Sequence, residues 1–192
     1  MRYLVLVING PNLNLLGERA PELYGRATLR QIEAALRVRA RQRETALVCM
    51  QSNHEGAIID FLHAWRRRAQ GLVINPGAFA HYSYAIREAI AAVRLPAVEV
   101  HLTDLAARPE PWRRVSVIRD VCVATVMGRG PRGYLDALDL LLDRLGAQPW
   151  YHPHLAISVG LARPRPAARG GVAAAGPHEP RQPAPSRRRR PW

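Results

Sequence analysis

A tyrosine and an arginine in one long loop are candidates for a general base. The apolar run Leu4–Ile8 is followed by residues 9–25, which contain Arg19 and Tyr24 and are long for a connection between a strand and a helix. Loops of this length are often active-site lids. A tyrosine is normally a poor base at neutral pH, but a neighbouring guanidinium favours the phenolate and lowers the pKa of the phenol. The loop alone favours a solvated arginine and a packed tyrosine, so the catalytic interpretation needs support from the rest of the sequence.

A glutamate and a histidine two residues apart are candidates for a general acid. Glu99, His101 and Thr103 follow one another at a period of two, which places them on one side of an extended backbone. A carboxylate beside a histidine fixes the tautomer of the ring and raises its basicity. A protonated imidazole held in this way is a good general acid. A lone histidine is more often structural, but the glutamate on the same side favours a functional role.

Polar side chains also follow other strand-like runs. Asn75 and His81 come after the third run, where an amide and an imidazole can hydrogen-bond a hydroxylated ligand. Glu88 lies two turns along the following helix. The alternative is a turn asparagine, an exposed histidine and a solvated glutamate. After the second run, we expect Ser52 or Asn53 to cap the next helix rather than to take part in catalysis.

Several arginines follow the fourth run, in the segment from Arg108 to Ser116. Guanidinium groups close to a crevice can bind an anionic or hydroxylated substrate. A charged loop is the commoner outcome, so we expect most of these arginines to be solvated.

The elements that position these residues alternate regularly between strand and helix. Apolar runs bounded by turn residues predict buried strands, and apolar residues at helical spacing predict helices. The predicted strands are 4–8, 46–50, 71–74, 97–100 and 121–126, and the predicted helices are one that follows the cap Thr28 and those that include 58–65, 82–93 and 133–145. This alternation predicts an α/β fold, a flavodoxin-like three-layer sandwich with a five-stranded parallel sheet of order 2-1-3-4-5. The ligand crevice of such a sheet lies beyond the carboxyl ends of the strands, where the candidate residues follow.

Composition limits the kinds of protein and chemistry that are possible. The chain has 192 residues, 48% of them hydrophobic, which predicts one ordinary domain with some surplus. It has no lysine, which excludes Schiff-base lysine chemistry and the lysine-containing phosphate loop. Cys49 and Cys122 both lie in apolar runs, which favours a reducing compartment over a disulfide scaffold or a zinc ribbon. The N-terminus lacks a signal-peptide pattern and no apolar run is long enough to span a membrane, so we expect a cytoplasmic protein.

The glycines from Gly128 to Gly133 have the spacing G-x-G-x-x-G of a dinucleotide-binding loop. That fingerprint belongs to a βαβ unit with an acidic residue about 20 residues further on, and here no strand follows. We therefore expect these glycines to serve a tight turn and close helix packing.

Residues 147–192 differ in composition from the rest of the chain. They hold nine of the 16 prolines and eight arginines against one acid, Glu179, and so carry +7 of the net charge of +13. Without apolar periodicity this tail is expected to be disordered, beside a catalytic domain that spans 1–146. A polyarginine end can bind nucleic acid non-specifically through phosphates, but a dispensable solvated extension is the favoured interpretation.

Five segments of the sequence, in order, resemble the motifs of type II 3-dehydroquinate dehydratase. The segments are Ile8–Gly17 with Arg19 and Tyr24–Gly25, then Gln51–Gly56, Asn75–Ala78 with His81, Glu99–His101, and Gly128–Tyr134. The resemblance extends from about Tyr3 to Gly146. It implies a lyase of the shikimate or quinate pathway, and so a part in aromatic amino acid biosynthesis, that uses neither metal nor cofactor. The reaction implied is the removal of water from 3-dehydroquinate to give 3-dehydroshikimate, by anti elimination through an enolate.

The resemblance also implies a role for each candidate residue. Tyr24 would take the C2 proton, and Arg19 would lower its pKa and close the lid. Asn12 would help to hold a water that stabilises the enolate. His101, oriented by Glu99, would protonate the departing C1 hydroxyl. The substrate would be bound by Asn75, the Leu102 backbone, Thr103, His81 and Arg113.

Three departures from the family pattern have consequences. Thr103 stands where the family usually has serine, and Glu88 stands where it usually has aspartate. The resemblance implies that Glu88 reaches a neighbouring subunit's site in a dodecamer built from four trimers. The segment 108–116 has one extra residue and two prolines compared with the family's R-E-x-F-R-x-H-S, which leaves the choice between Arg113 and Arg114 as substrate ligand open. The altered segment also keeps open a non-catalytic protein that binds small molecules or partners on the same scaffold.

Overall fold

The five predicted strands form one parallel sheet. The computed structural model describes residues 1–147, in which the strands lie in the order β2-β1-β3-β4-β5. The strands are β1 Tyr3–Asn9, β2 Thr45–Gln51, β3 Gly71–Asn75, β4 Ala97–His101 and β5 Ala124–Met127. The α-helices are α1 Pro21–Tyr24, α2 Leu29–Gln42, α3 Glu55–Trp65, α4 Tyr84–Val93 and α5 Arg132–Ala147, and four 3-10 turns cover Leu13–Leu15, Gly77–His81, Pro111–Arg114 and Arg119–Val121. The predicted α/β fold and its strand order are confirmed.

Helices cover both faces of the sheet and enclose two separate cores. On one face α2 and α5 pack over strand side chains such as Val7. On the other face α3 and α4 pack over side chains such as Ile8. The three central strands, β1, β3 and β4, are apolar along most of their length because both of their faces are buried. Asn9 and Asn75, which end β1 and β3, are register partners and begin the polar edge of the sheet.

Hydroxyl side chains fix the beginnings of two helices. Thr28 Oγ1 accepts a hydrogen bond from the Gln31 backbone N–H at 3.2 Å, and Gln31 Oε1 accepts one from the Thr28 backbone N–H at 2.9 Å. This reciprocal pair is a capping box and confirms the predicted cap of α2. Ser83 Oγ accepts from the Ile86 backbone N–H at 3.0 Å, so α4 begins at Tyr84, after a 3-10 turn, rather than at residue 82.

The residues before α3 do not cap that helix as the sequence predicts. The cap position is His54, whose side chain makes no capping hydrogen bond. Ser52 Oγ accepts from the His54 backbone N–H at 2.9 Å and so closes the turn that precedes the helix. Asn53 Oδ1 accepts from the Asn12 backbone N–H at 2.9 Å. The prediction that Ser52 or Asn53 caps α3 is wrong because the loop after β1 engages Asn53.

The fifth strand begins later than the sequence predicts. The predicted strand covers 121–126, whereas β5 begins at Ala124 and follows a 3-10 turn. Val121 and Cys122 pack against the core on the α3 and α4 face, where Ile118 is fully buried. The first part of the apolar run therefore fills this core, and contact with β4 starts where the Val123 N–H donates to Ala97 O at 2.8 Å, just before the register pairs from Ala124 onwards.

Both cysteines are free thiols within the described part of the chain. Burial raises the pKa of Cys49 to about 11 and that of Cys122 to about 12. Both thiols are therefore protonated at neutral pH, the less reactive form.

The predicted tail, residues 147–192, lies outside the described residues apart from Ala147, which ends α5. The domain boundary at 146 and the contact of the arginine run with nucleic acid stay predictions. Among residues 1–147, no helix combines the length and apolar character needed to cross a membrane.

Candidate active site

A cleft of about 260 Å³ opens where β1, β3 and β4 end. Its walls come from the loops after these strands, which is where the fold predicts a ligand crevice. The cleft is lined by the predicted site residues Asn12, Arg19, Tyr24, Asn75, His81, His101, Leu102, Thr103 and Arg113. A volume below the roughly 300–1,000 Å³ of clefts for drug-sized ligands suits a small molecule. Within residues 1–147, no three His, Cys, Asp or Glu side chains come together as metal ligands would.

The hydroxyl of Tyr24 lies among guanidinium groups. It accepts a hydrogen bond from Arg108 Nη2 at 3.1 Å and a longer one from Arg113 Nη2 at 3.5 Å. The guanidinium carbon of Arg19 lies 5.8 Å from the centre of the Tyr24 ring. Burial by itself raises the pKa of Tyr24, but the hydrogen bond and charge of Arg108, with the charges of the other two arginines, outweigh burial and lower this pKa below its ordinary value of 10.0. The arrangement favours the phenolate, which is the form that a base requires.

Arg108 is a site residue that the sequence analysis did not single out. Its side chain is only 8% exposed, and Nη2 donates to Thr103 Oγ1 at 2.6 Å as well as to Tyr24. Arg108 therefore connects the segment after β4 with the candidate base in the lid loop. One feature of the sequence could have indicated Arg108. It is the first arginine of the segment 108–116, and the corresponding family pattern, R-E-x-F-R-x-H-S, also begins with an arginine.

The two arginines that the sequence left as alternatives lie in different surroundings. Arg113 lines the cleft, whereas Arg114 donates to backbone carbonyls, from Nε to Arg108 O at 2.6 Å and from Nη2 to Pro109 O at 3.0 Å. A 3-10 turn over residues 111–114 accommodates the proline-rich segment. Arg113 is thus the arginine of this pair that a ligand in the cleft can reach.

His101 ends β4 with a buried carboxylate next to it. His101 Nε2 lies 2.7 Å from Glu99 Oε1, which also accepts from Ser116 Oγ at 2.5 Å, and Thr125 Oγ1 donates to Glu99 Oε2 at 3.2 Å. Burial raises the pKa of Glu99, but the hydrogen bonds from His101, Ser116 and Thr125 outweigh burial and lower it. An ionised Glu99 accepts the Nε2–H bond of His101, so Nδ1 is the ring nitrogen left for the cleft. The sequence predicted this pair but not the two hydroxyl groups that hold the carboxylate.

Asn75 and His81 form another part of the cleft wall. Asn75 Oδ1 accepts from the Gly77 backbone N–H at 3.2 Å. His81 Nδ1 lies 2.7 Å from the backbone oxygen of Val115, and the ring meets Trp112 edge-on with 5.3 Å between centroids. Burial lowers the pKa of His81, and nearby positive charges add to this against the hydrogen bond to Val115. A neutral His81 that donates from Nδ1 leaves Nε2 as an acceptor for a ligand hydroxyl.

The loop after β1 is held against its neighbours by backbone contacts. The Gly10 N–H donates to Asn75 O at 2.8 Å, and a Cβ on Gly10 would lie 2.2 Å from Pro76 O, so only glycine permits this approach. Gln51 Nε2 donates to Gly10 O at 3.2 Å. Asn12 follows with φ at +65° and lines the cleft. The base of the predicted lid is therefore fixed to the ends of β2 and β3.

Glu99 and Glu88 are the predicted site residues that do not line the cleft. Glu99 lies behind His101, as described above. The Glu88 side chain is 73% exposed and accepts from Arg87 Nη1 at 2.6 Å. Arg87 Nη2 in turn pairs with Asp120 at 2.6 Å. Glu88 is thus part of a surface ion-pair cluster and faces solvent in the single chain.

The glycine motif forms a tight turn, as predicted. Gly128 and Gly130 have φ values of +74° and +55°, a region that favours glycine. The Gly130 N–H donates to Leu102 O at 2.9 Å. The turn therefore supports the segment after β4 that forms part of the cleft.

Comparison with known proteins agrees with this geometry. Residues 3–142 match the family model described as dehydroquinase class II. The chain is 50% identical over 145 residues to a 3-dehydroquinate dehydratase of Roseiflexus castenholzii, covering 76% of this chain and 92% of that protein. It is 46% identical over 142 residues to a 3-dehydroquinate dehydratase of Bacillus cytotoxicus, covering 74% and 97%.

A solved structure shows the same relationship. The type II dehydroquinase of Butyrivibrio crossotus superimposes with a TM-score of 0.71 at 42% sequence identity, covering 73% of this chain and 97% of that one. Family model, sequence identity and fold point the same way. The chain therefore belongs to the type II 3-dehydroquinate dehydratases, a family of hydro-lyases.

Proposed function

We propose that this chain, as a 3-dehydroquinate dehydratase, removes water by anti elimination through an enolate, with Tyr24 as the base and His101 as the acid. The observation that most supports this proposal is that Tyr24 and His101 line the same small cleft. It holds a phenol bound by guanidinium groups and an imidazole bonded to a buried carboxylate. These are the two groups that an elimination of water needs, one to take a proton and one to give a proton.

The first step breaks the C2–H bond. The Tyr24 phenolate takes the proton, and the electron pair moves onto the carbonyl oxygen at C3 to form an enolate. The proton next to a ketone is weakly acidic, so donors that meet the growing negative charge lower the barrier by a few kcal/mol each. Asn12, which lines the cleft, is proposed to hold a water that donates to this oxygen.

The second step breaks the C1–O bond. The enolate electrons re-form the carbonyl and create the C1–C2 double bond, while His101 gives its proton to the departing hydroxyl, which leaves as water. Tyr24 is then a phenol and His101 a neutral imidazole, and proton exchange with solvent restores both. The carboxylate of Glu99, 2.7 Å from Nε2, orients the ring and lies beside the charge of the protonated imidazole.

The remaining cleft residues are proposed to orient the substrate. Asn75, the Leu102 backbone and Thr103 bind the carboxylate, and His81 and Arg113 bind ring hydroxyls. Arg19 lies on the lid loop next to the Tyr24 ring, where closing the loop would bring it over the substrate.

The experiment that tests the activity is an ultraviolet assay with 3-dehydroquinate that follows the conjugated product. The full-length chain is compared with the double variant Tyr24→Phe/His101→Ala, purified in the same way, which controls for a contaminating host enzyme. We expect turnover by the wild type and none above background by the double variant. A folded wild type that binds the substrate but does not turn it over would favour the non-catalytic binding protein.

Arg108→Gln is expected to move the ascending limb of the pH profile of kcat/KM to higher pH. The hydrogen bond and charge of Arg108 lower the pKa of Tyr24, so its removal raises that pKa. A base works only when it is ionised, so less active enzyme is present at neutral pH and kcat/KM should fall there, by about tenfold for the loss of one hydrogen bond to a charged group. The measurement is kcat/KM across the pH range, because this quantity reports the free enzyme.

The matched control for Arg108→Gln is Arg30→Gln, which removes an exposed arginine of α2. Arg30→Gln changes the net charge by the same amount, and the ascending limb of its pH profile of kcat/KM should stay at the wild-type pH. An Arg108→Gln profile that overlays the wild type would show that Arg108 does not set the ionisation of the base.

We also propose that Glu88 acts in the site of a neighbouring subunit, in a dodecamer of four trimers. Its carboxylate faces solvent in the single chain and does not line its own cleft. Glu88→Gln should then lower kcat/KM by about tenfold, the cost of one charged hydrogen bond. Mixed oligomers of Glu88→Gln and Tyr24→Phe subunits should regain activity, since some sites combine an intact Tyr24 with an intact Glu88. A monomer in sedimentation velocity at assay concentration, or no regain in mixtures, would contradict this proposal.

A further inference from the structure

A buried tyrosine connects the ends of the two central strands. Tyr134 lies in the first turn of α5, and its hydroxyl donates to Asn9 Oδ1 at 2.7 Å and accepts from Asn75 Nδ2 at 3.0 Å. Tyr134 and Asn9 are fully buried, and Asn75 is nearly so. Of these three side chains, Asn75 is the one that lines the cleft. The contacts thus connect the core beneath the sheet edge to the site.

The hydroxyl of Tyr134 and the backbone N–H of Gly77 together fix which way round Asn75 lies. A tyrosine hydroxyl has one proton, and here that proton goes to Asn9. Its oxygen can therefore only accept from Asn75, which must turn its NH2 group towards Tyr134. Burial raises the pKa of Tyr134, so the hydroxyl keeps its proton at neutral pH. The Gly77 N–H rules out the reverse arrangement, in which Tyr134 donates to Asn75, because it donates to Asn75 Oδ1 and leaves only Nδ2 to face Tyr134.

The surroundings of Asn9 support a role through Tyr134. Asn9 Nδ2 is buried and has no hydrogen-bond partner among residues 1–147. A buried donor without a partner is unfavourable, so this orientation of the Asn9 amide is held by its other end, where Oδ1 is the acceptor that the hydroxyl proton of Tyr134 needs. Its Oδ1, by contrast, accepts the single proton of Tyr134 and so determines what that hydroxyl offers to Asn75.

We infer that Tyr134 is a positioning residue that keeps Asn75 as a hydrogen-bond donor, and so makes this part of the cleft specific for a carboxylate oxygen. The inference rests on the proposed function, in which Asn75 binds the substrate carboxylate. One N–H of Asn75 Nδ2 is used on Tyr134, and the second is left for the ligand. A rotated amide would present Oδ1 to the carboxylate instead, and two acceptors repel each other.

The test is a double-mutant cycle of Tyr134→Phe and Asn75→Ala. For each variant, kcat and KM are measured with 3-dehydroquinate. The Kd of quinate, a carboxylate that lacks the ketone and cannot react, is measured by calorimetry. Tyr134→Phe should raise KM and the quinate Kd about tenfold, with kcat within about twofold, because a hydrogen bond to a charged group is weakened. In the Asn75→Ala background it should have no further effect on either constant.

The variant Leu138→Val shows whether Tyr134→Phe acts only by destabilising the fold. It shortens the side chain of a fully buried residue in the same helix as Tyr134. Unfolding temperatures show whether the two variants are comparably destabilised. Any one of three results would overturn the inference. The first is a tenfold rise in KM in Leu138→Val as well, and the second is an unchanged quinate Kd in Tyr134→Phe. The third is additive effects of the two substitutions in the double variant. If the wild type binds quinate but does not turn over the substrate, the proposed function fails while the quinate series still decides the role of Tyr134. A wild type that binds no quinate would overturn the inference.

Discussion

Tyr24→Phe is expected to lower kcat about a thousandfold while the fold and substrate affinity are retained. The substitution removes one oxygen and leaves the ring that packs beside Arg19 and Arg108. General bases typically contribute about a hundredfold to ten-thousandfold to a rate, and no other group in the cleft is as well placed among cations to be ionised. The measurement is steady-state kinetics on the conjugated product, with KM expected to stay within about threefold.

The matched control is Tyr82→Phe, the same change at a tyrosine that is 58% exposed. It should leave kcat unchanged. A Tyr24→Phe enzyme that retains more than about a tenth of the wild-type kcat would remove Tyr24 from the role of base, since a lost base costs more than this.

The sequence predicts the sheet and the position of the cleft well because both depend on local patterns. Apolar runs buried on both faces identify strands without any knowledge of their partners. Parallel connections then bring the ends of those strands together, so Asn75 and His101 could be placed in one crevice from sequence alone. The pairing of Glu99 with His101 follows equally from the period of two along β4.

Contacts between residues far apart in the chain could not be predicted in this way. Arg108 is 84 residues from Tyr24 in the chain. The sequence around an arginine that binds a buried tyrosine hydroxyl does not differ from that around an arginine in a solvated loop, so this contact could not be predicted. The hydroxyls of Ser116 and Thr125 likewise reach Glu99 from separate elements. Contacts with distant residues also explain why β5 begins later than predicted. Val121 packs against a core formed by helices that are far from it in the chain.

His101→Ala is expected to lower kcat for dehydration by about a thousandfold or more. Hydroxide is a poor leaving group, so loss of the acid leaves the C1–O bond to break without proton transfer, and such transfer typically contributes about a hundredfold to ten-thousandfold. Product formation from 3-dehydroquinate measures the effect. The control is His63→Ala, which removes an exposed histidine of α3 and should leave kcat unchanged.

The variants Tyr24→Phe and His101→Ala can be told apart by the step that each one is expected to stop. In deuterated water, His101→Ala should still exchange the C2 proton of the substrate, because Tyr24 and its arginines are intact and the enolate can form and return. Tyr24→Phe should abolish this exchange, which is followed by nuclear magnetic resonance of the substrate. Loss of exchange in both variants would contradict an enolate that forms, exchanges its proton with solvent and returns before the hydroxyl leaves.

Glu99→Gln adds an intermediate case that depends on the charge of the carboxylate. Glutamine keeps the size of the side chain and an oxygen that can accept from His101 and Ser116, but it lacks the negative charge that lies beside a protonated ring. Its kcat should therefore fall between those of the wild type and His101→Ala, with C2 exchange retained. A Glu99→Gln enzyme as active as the wild type would show that the short contact of 2.7 Å orients the ring without supporting its charge.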